Sequence, residues 1–363
     1  MISATAFEPD YAIPPGEILI EYLESLGMSQ RDLAARTGLT PKTVNEIAQG
    51  KAPITAETAL KLERVLGRPA HFWQNLESLY QEARVREEEQ PRLAGSLAWL
   101  GRVPVKEMSR LGWLPKTTDP LAQLDAVLRF FGVSSQDRWA AVWDGGQVAY
   151  RRSVRFETHP EAVSAWLRQG EIEAQRIASA PFDKARFKAV LEQVRGLTRE
   201  PPEVFQPKLV ELCALAGVAV VFVPELPRTG VSGATRWLTP EKALIQLSLR
   251  YKSDDQLWFT FFHEAGHVLL HGKKAIFIEG DGGDEEKEHE ANRFAADFLI
   301  PPAAWRQFIA DARPTLAQVQ SFAASQGIAP GIVVGRLQKD GLYDYKVGNG
   351  LKRRFQWAQP SAH

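Results

Sequence analysis

The sequence predicts a multidomain chain: an all-α head with a helix-turn-helix pattern, a mainly helical linker region, and an α+β domain in which a small sheet precedes several helices. Three observations predict it. The chain has 363 residues, more than one ordinary hydrophobic core serves. Four short, capped helical segments follow one another near the start. In the last third, apolar strand-like runs give way to long amphipathic helices. The segments fall at 14–85, 86–205 and 206–342, with a C-terminal tail at 343–363.

The head begins with "PPGEILIEYLESLG", which puts Ile18, Leu19, Tyr22 and Leu23 on one stripe and stops at Gly27. "SQRDLAARTG" starts on Ser29, buries Leu33 and Ala34 and stops at Gly38. "TPKTVNEIAQG" starts on Thr40 with Pro41 at its first helical position and stops at Gly50. "TAETALKLERVLG" repeats the device with Thr55 and Gly67. The helices at 29–37 and 40–49, with Gly38 in the turn, have the dimensions of a helix-turn-helix. Val44 and Ile47 of the second would pack inward and leave Lys42, Thr43, Asn45 and Glu46 outward.

The linker region opens with the charge run "REEEQPR", expected as a linker, and continues into amphipathic helices at "DPLAQLDAVLRFFG" and "FDKARFKAVLEQVRGL". "WAAVWDGGQVAYRR" suggests a short hairpin around Gly145-Gly146. In the third region, "PKLVELCALAG" reads as a helix, and "VAVVFVPEL", "GVSGATRWL" and "KALIQLSLR" as strands, the last alternating through Leu244, Gln246, Leu247 and Leu249. A long helix from about Asp254 to Leu270, an acidic glycine-rich loop, a helix ended by Pro301-Pro302, and helices near 315–325 and 330–339 complete it.

Composition narrows the function classes. Lys plus Arg and Asp plus Glu both number 44, so no global field draws the chain to nucleic acid or membrane, and a DNA-binding reading rests on a local surface. The single cysteine, Cys213, excludes an internal disulfide framework and fits a reducing compartment and a core position. "MISATAFEPDYAIPPGE" has neither basic flank nor apolar run, and no stretch reaches the roughly 18 apolar residues of a membrane span. The expectation is a cytoplasmic protein without membrane partners.

Chemistry concentrates in "HEAGHVLLHG". His263 and His267 stand one turn apart on one helical face, so both imidazoles can reach one metal ion. Glu264 is placed to hold and deprotonate a water on that ion, which is the content of H-E-x-x-H. The surrounding helix is strongly apolar, so these polar groups would be costly unless something satisfies them. Zinc is the expected cofactor, with three protein ligands and one open position. In "EEKEHEANRFAADFLIP", Glu288 is the expected third ligand and Asn292, one turn on, a group that orients a ligand histidine. Glu290 lies about 200° around the helix from Glu288 and should point elsewhere. His289 is a competing ligand off that face. His271 extends the stripe at the helix end, as a C-terminal cap or a support for a ligand. Arg236 and Trp237 are candidates for lining a cleft, and "KRRF" near the C-terminus reads as solvated surface.

"FTFFHEAGHVLLHG" followed by "EKEHEANRFAADFLIP" resembles the ImmA/IrrE family of zinc metallopeptidases, over about 206 to 342 and including "APGIVVGRLQKDG". The resemblance implies a gluzincin-like fold, His263, His267 and Glu288 as ligands, Glu264 as general base, and a helix-turn-helix repressor or antitoxin as substrate in a stress, mobile-element or defence response. Residues 14–85 resemble XRE-type repressors of the HigA-like antitoxin subgroup. By that resemblance Lys42, Thr43 and Glu46 face bases in the major groove, and Gln30, Asn45, Gln49 and Lys51 touch phosphates, on an operator bound as a homodimer. Pro41 occupies a position that often reads a base, which a proline cannot do. The other reading is a HigA-like antitoxin and repressor whose peptidase-like domain only senses or binds.

Overall fold

The computed structural model describes residues 13–144, 159–272, 277–278, 285–310 and 313–358. The chain divides into two compact units, 1–97 and 98–363. Among the described residues no helix is long and apolar enough to cross a membrane.

Among its described residues the first unit contains five helices, α1 (Pro15–Ser25), α2 (Gln30–Thr37), α3 (Pro41–Ala48), α4 (Ala56–Leu66) and α5 (Ala70–Gly95). Side chains set their starts. Ser29 and Asp32 form a reciprocal capping box on α2, and Thr40 and Thr55 accept from the backbone N–H of Thr43 and Thr58. Gly38 ends α2 at φ +69°, a left-handed conformation that glycine adopts without strain, and so turns the chain into α3. Leu19, Leu23, Leu33, Val44, Ile47 and Trp73 meet in the core. Tyr22 and Phe72 pack edge-on against Trp73, at 5.7 and 5.2 Å between ring centres.

The charge run at 86–92 is helix rather than linker, the later part of the 26-residue α5. Ion pairs one turn apart, Arg84–Glu88 at 3.2 Å and Arg86–Glu82 at 2.6 Å, support it. Strong helix formers on either side carry the helix through Pro91.

In the second unit, β1 (Val218–Phe222), β2 (Gly233–Thr239), β3 (Lys242–Leu247) and β4 (Phe277–Ile278) form a sheet in the order β1-β3-β2-β4. β1 runs parallel to β3; β2 is antiparallel to both β3 and β4. The alternation expected for β3 does not hold, because the strand is buried on both faces. The helix Pro160–Gln175 packs on β1 and β3, and the helix Asp254–Leu270 packs on β2 and β3. Gln246 therefore lies fully buried, and its amide donates to the backbone oxygen of Trp166 at 2.7 Å. The helix Lys184–Leu197 adds Phe187, Leu191 and Val194 to the same core, so this part of the expected linker region builds the α+β unit itself. Cys213 lies in that core, and burial pushes its thiol pKa up.

The hairpin expected around Gly145-Gly146 falls mostly outside the described residues. Where its first strand was expected, Gln136–Trp139 is α-helical and Ala140–Asp144 a π-helical turn. Trp139 and Trp143 are buried there against Phe131, a core position that overrides their strand preference.

"KRRF" is not solvated surface either. Lys352 pairs with Asp255 at 2.7 Å with both side chains largely buried. Arg353 donates to the backbone oxygens of Arg199 and Glu200, and Phe355 is buried. The backbone of this segment bridges to Ser253 and accepts from the N–H of Asp254. The C-terminal segment thus straps the start of the helix Asp254–Leu270. Removing one partner of a buried ion pair leaves the other charge uncompensated, at about 3–5 kcal/mol. Lys352→Met is therefore expected to lower stability in chemical denaturation by that order, and Asp255→Asn added to it to recover a substantial part. A double variant no more stable than Lys352→Met would count against the pairing.

Candidate metal centre

The centre is built where two helices cross. The helix Asp254–Leu270 carries Trp258, Phe261, Phe262 and Ala265 into the core, and nearly all of it is buried. His263, Glu264 and His267 are 1%, 0% and 1% exposed, so their polar atoms need partners that the apolar core does not supply. The helix Glu285–Leu299 crosses over them. Gly266 makes this possible: a Cβ there would stand 3.3 Å from the Cα of Ala291 and 3.2 Å from the Phe294 ring. Phe262 stacks on Phe298 at 5.1 Å and holds the crossing.

The crossing brings His263, His267 and Glu288 together, with donor atoms all within 4.8 Å of one another. His263 Nε2 lies 3.0 Å from His267 Nε2 and 3.3 Å from Glu288 Oε2, and His267 Nε2 lies 3.2 Å from Glu288 Oε1. Bonds of about 2.0–2.1 Å to a tetrahedral zinc give a donor–donor edge of about 3.3–3.4 Å. The imidazoles stand slightly closer than that and face different oxygens of Glu288, so the spacing is of the order such an ion requires. The other ring nitrogens are engaged too. Asn292 Oδ1 lies 3.1 Å from His263 Nδ1, His271 Nδ1 lies 2.8 Å from His267 Nδ1, and Glu290 Oε2 lies 3.0 Å from His271 Nε2. Asn292 Oδ1 can only accept, so a neutral His263 donates from Nδ1 and keeps a lone pair on Nε2. His289 is exposed and no member of the cluster.

Electrostatics prepare the same state. Burial drives the His267 pKa down to about 4. For Glu288, burial works upward, but the rings of His263 and His267 facing it outweigh burial and pull the pKa down to about 2. At neutral pH the cluster offers an unprotonated imidazole and an ionised carboxylate, as metal ligation requires.

Glu264 faces β2: a Cβ on Gly233 would fall 2.7 Å from its Oε1, and Thr235 Oγ1 donates to its backbone oxygen at 3.1 Å. Phe277 of β4, absent from the sequence reading, stacks on the His267 ring at 4.1 Å and 14°. Its two-residue strand is too short for a periodic signal. Arg236 is largely buried and pairs with Glu171, while Trp237 packs edge-on against Phe182 at 4.8 Å.

In the first unit, Lys42, Asn45, Gln49 and Lys51 are exposed, and Gln30, Thr43 and Glu46 half-buried. Lys42 pairs with Glu46 at 3.8 Å, Gln49 donates to Asn45 at 3.2 Å, and Thr43 Oγ1 lies 2.8 Å from Thr40 Oγ1. Val44 and Ile47 face inward.

Comparison with known proteins matches residues 19–73 to a helix-turn-helix family model and residues 220–337 to the IrrE N-terminal-like domain, a peptidase M78 family. Over 69 residues the chain is 36% identical to the uncharacterized HTH-type transcriptional regulator YddM of Escherichia coli, 19% of this chain and 73% of that one. The chain belongs to the helix-turn-helix family through its head and carries an IrrE N-terminal-like domain behind it. The helix-turn-helix head is also 44% identical over 70 residues to virulence-associated protein I of Dichelobacter nodosus, of which the chain spans 65%. A solved structure, the Pseudomonas aeruginosa antitoxin HigA with the higBA promoter, is 34% identical over 23% of this chain and 90% of that one, with a TM-score of 0.22. The IrrE N-terminal-like domain contains all three clustered donors and Glu264.

The titration of the centre sets a pH dependence. His267 has a folded pKa of about 4 against an ordinary 6.5, so the unfolded chain binds the proton more readily between them. Its contribution to stability is complete above about pH 6.5 and is lost as pH falls toward 4. Glu288 acts with the same sign lower, from about 4.5 to about 2. Burial pushes the Asp254 carboxyl up to about 6, which acts with the opposite sign over part of this range. The expectation is therefore a difference: in chelator, the denaturation midpoint of wild type falls relative to that of His267→Gln as pH goes from 6.5 to 4. A constant difference between the two midpoints across that range would contradict this account.

Proposed function

We propose that the chain is a DNA-binding transcriptional regulator whose body is a zinc-dependent endopeptidase. The observation that carries it is the convergence of His263, His267 and Glu288, with Glu264 buried beside them. Two imidazoles and one carboxylate with an open fourth position are the donor set of a catalytic zinc. Bound there, zinc supplies a Lewis acid that polarises a carbonyl and activates water near neutral pH. Glu264 acts as general base: it accepts the proton of the attacking water and returns it to the leaving amine. Asn292 fixes the His263 ring through Nδ1, and His271 stands behind His267.

The substrate we infer is a repressor or antitoxin protein, in a stress, mobile-element or defence response. Its support is the family resemblance of the body and the regulator-like head. The head docks α3 in the major groove of an operator, as a homodimer in the cytoplasm. Lys42, Thr43 and Glu46 face base edges, and Gln30, Asn45, Gln49 and Lys51 meet phosphates.

The test is metal content beside cleavage. Purified wild type is expected to hold one zinc, and Glu288→Ala to lose it. Glu264→Gln is expected to keep the zinc and lose cleavage of any partner that wild type cuts, by a factor of about 10² or more. Cleavage unchanged in Glu264→Gln would leave the body a sensing or binding module.

DNA binding is tested separately. Lys51→Ala is expected to weaken all sequences alike and to reduce the slope of log K against log salt by about 1. Lys42→Ala is expected instead to relax discrimination at one base pair, by about 1–3 kcal/mol. Uniform losses from both would place Lys42 on the backbone.

A further inference from the structure

Glu290 stands two residues from Glu288 yet outside the three-donor cluster. Its carboxylate reaches His271 instead, and three contacts then run in series. Glu290 Oε2 lies 3.0 Å from His271 Nε2, His271 Nδ1 lies 2.8 Å from His267 Nδ1, and His267 Nε2 lies 3.2 Å from Glu288 Oε1. We propose that Glu290 is a positioning residue for His267: acting through His271, it decides which His267 nitrogen carries the proton. The inference rests on the zinc reading of the centre.

The direction of each hydrogen bond follows from the first. A carboxylate has no proton to give, so Glu290 accepts and a neutral His271 carries its proton on Nε2. His271 Nδ1 is then a lone pair, and the 2.8 Å contact requires His267 to donate from its own Nδ1. His267 Nε2 is left as a lone pair facing His263 and Glu288. Without the carboxylate, the middle contact runs equally well in reverse. His271 would donate from Nδ1, and the His267 proton would move to Nε2, among the metal donors. The two arrangements share one geometry, and Glu290 selects between them.

His263 needs no such relay, because Asn292 Oδ1 meets its Nδ1 directly. His267 has a third imidazole in that place, and an imidazole can give or take. The Glu290 side chain is 56% exposed, so its Coulomb attraction for His271 is weak and its contribution is the sense of the hydrogen bonds. The Phe277 ring, stacked on His267 and 5.2 Å from His271, holds the rings in place.

The experiment measures zinc affinity by chelator competition and the absorption spectrum of the Co2+-loaded full chain. It compares wild type, Glu290→Leu, Glu290→Gln, His271→Ala and the Glu290→Leu/His271→Ala double variant. Glu290→Leu is expected to weaken zinc binding about 10–100-fold and to change the Co2+ spectrum. Glu290→Gln restores most of the affinity, because its amide oxygen still accepts from His271. In the His271→Ala background, Glu290→Leu has no further effect, since the relay is already cut. The proposal is overturned if Glu290→Leu binds zinc as wild type does with an unchanged spectrum, or if its loss adds in full to that of His271→Ala. A wild-type chain that binds neither ion overturns the zinc reading and this inference with it.

Discussion

The second unit depends on one close approach, Gly266 against Ala291. The two helices that bring His263, His267 and Glu288 around one point pack their backbones closely at the crossing: a Cβ on Gly266 would be tight against the Cα of Ala291, which is itself fully buried. The surrounding rings then fix the angle: Phe262 against Phe298, and Phe294 against Phe298. Apolar packing therefore supplies the free energy that holds three polar donors at distances they would not choose alone. The lone pairs that face one another there would be stabilised by a cation, so the crossing and the metal reading support each other.

The helix that carries the histidines is anchored along its length. Its start is held by the C-terminal segment through Lys352 and the backbone of Arg353, its middle lies on β2 and β3, and its end meets the ring of Phe277. The general-base role proposed for Glu264 would need its carboxylate fixed to a fraction of an ångström. The buried backbone oxygen of Glu264, bonded to Thr235 on β2, transmits the sheet's rigidity to that residue. Rigid positioning of this kind is cheaper on a helix packed over a sheet than on a loop, which is why the centre sits where it does.

Much of this was legible in the sequence, and the reasons differ by element. The helices of the head announce themselves through caps, because Ser29, Thr40 and Thr55 act within one turn of where they stand. The three-donor cluster was readable for the same reason: His263 and His267 are neighbours on one face, and Glu288 opens a second periodic helix. What depended on distant partners was not readable. β3 reads as alternating, but the helix Pro160–Gln175 covers its other face. "KRRF" reads as surface, but its partner Asp255 lies almost a hundred residues earlier. Glu290 was placed off the ligand face by its angle, and that angle says nothing of His271 on another helix.

The head raises a different question, since the chain as a whole carries no net charge to draw it to DNA. Its exposed α3 carries Lys42 and Glu46 one turn apart, in contact at 3.8 Å. An exposed pair of this kind contributes little to stability and is easily exchanged for other partners. With α3 in a major groove, as proposed, Glu46 would repel phosphate oxygens but accept from the amino group of a cytosine, and Lys42 would donate to a guanine. Any sequence without such a base pair leaves an acidic side chain facing a negative groove. The arrangement therefore penalises wrong sites more than it strengthens right ones. On the proposed reading, a neutral chain with a local, partly acidic α3 would trade non-specific affinity for discrimination.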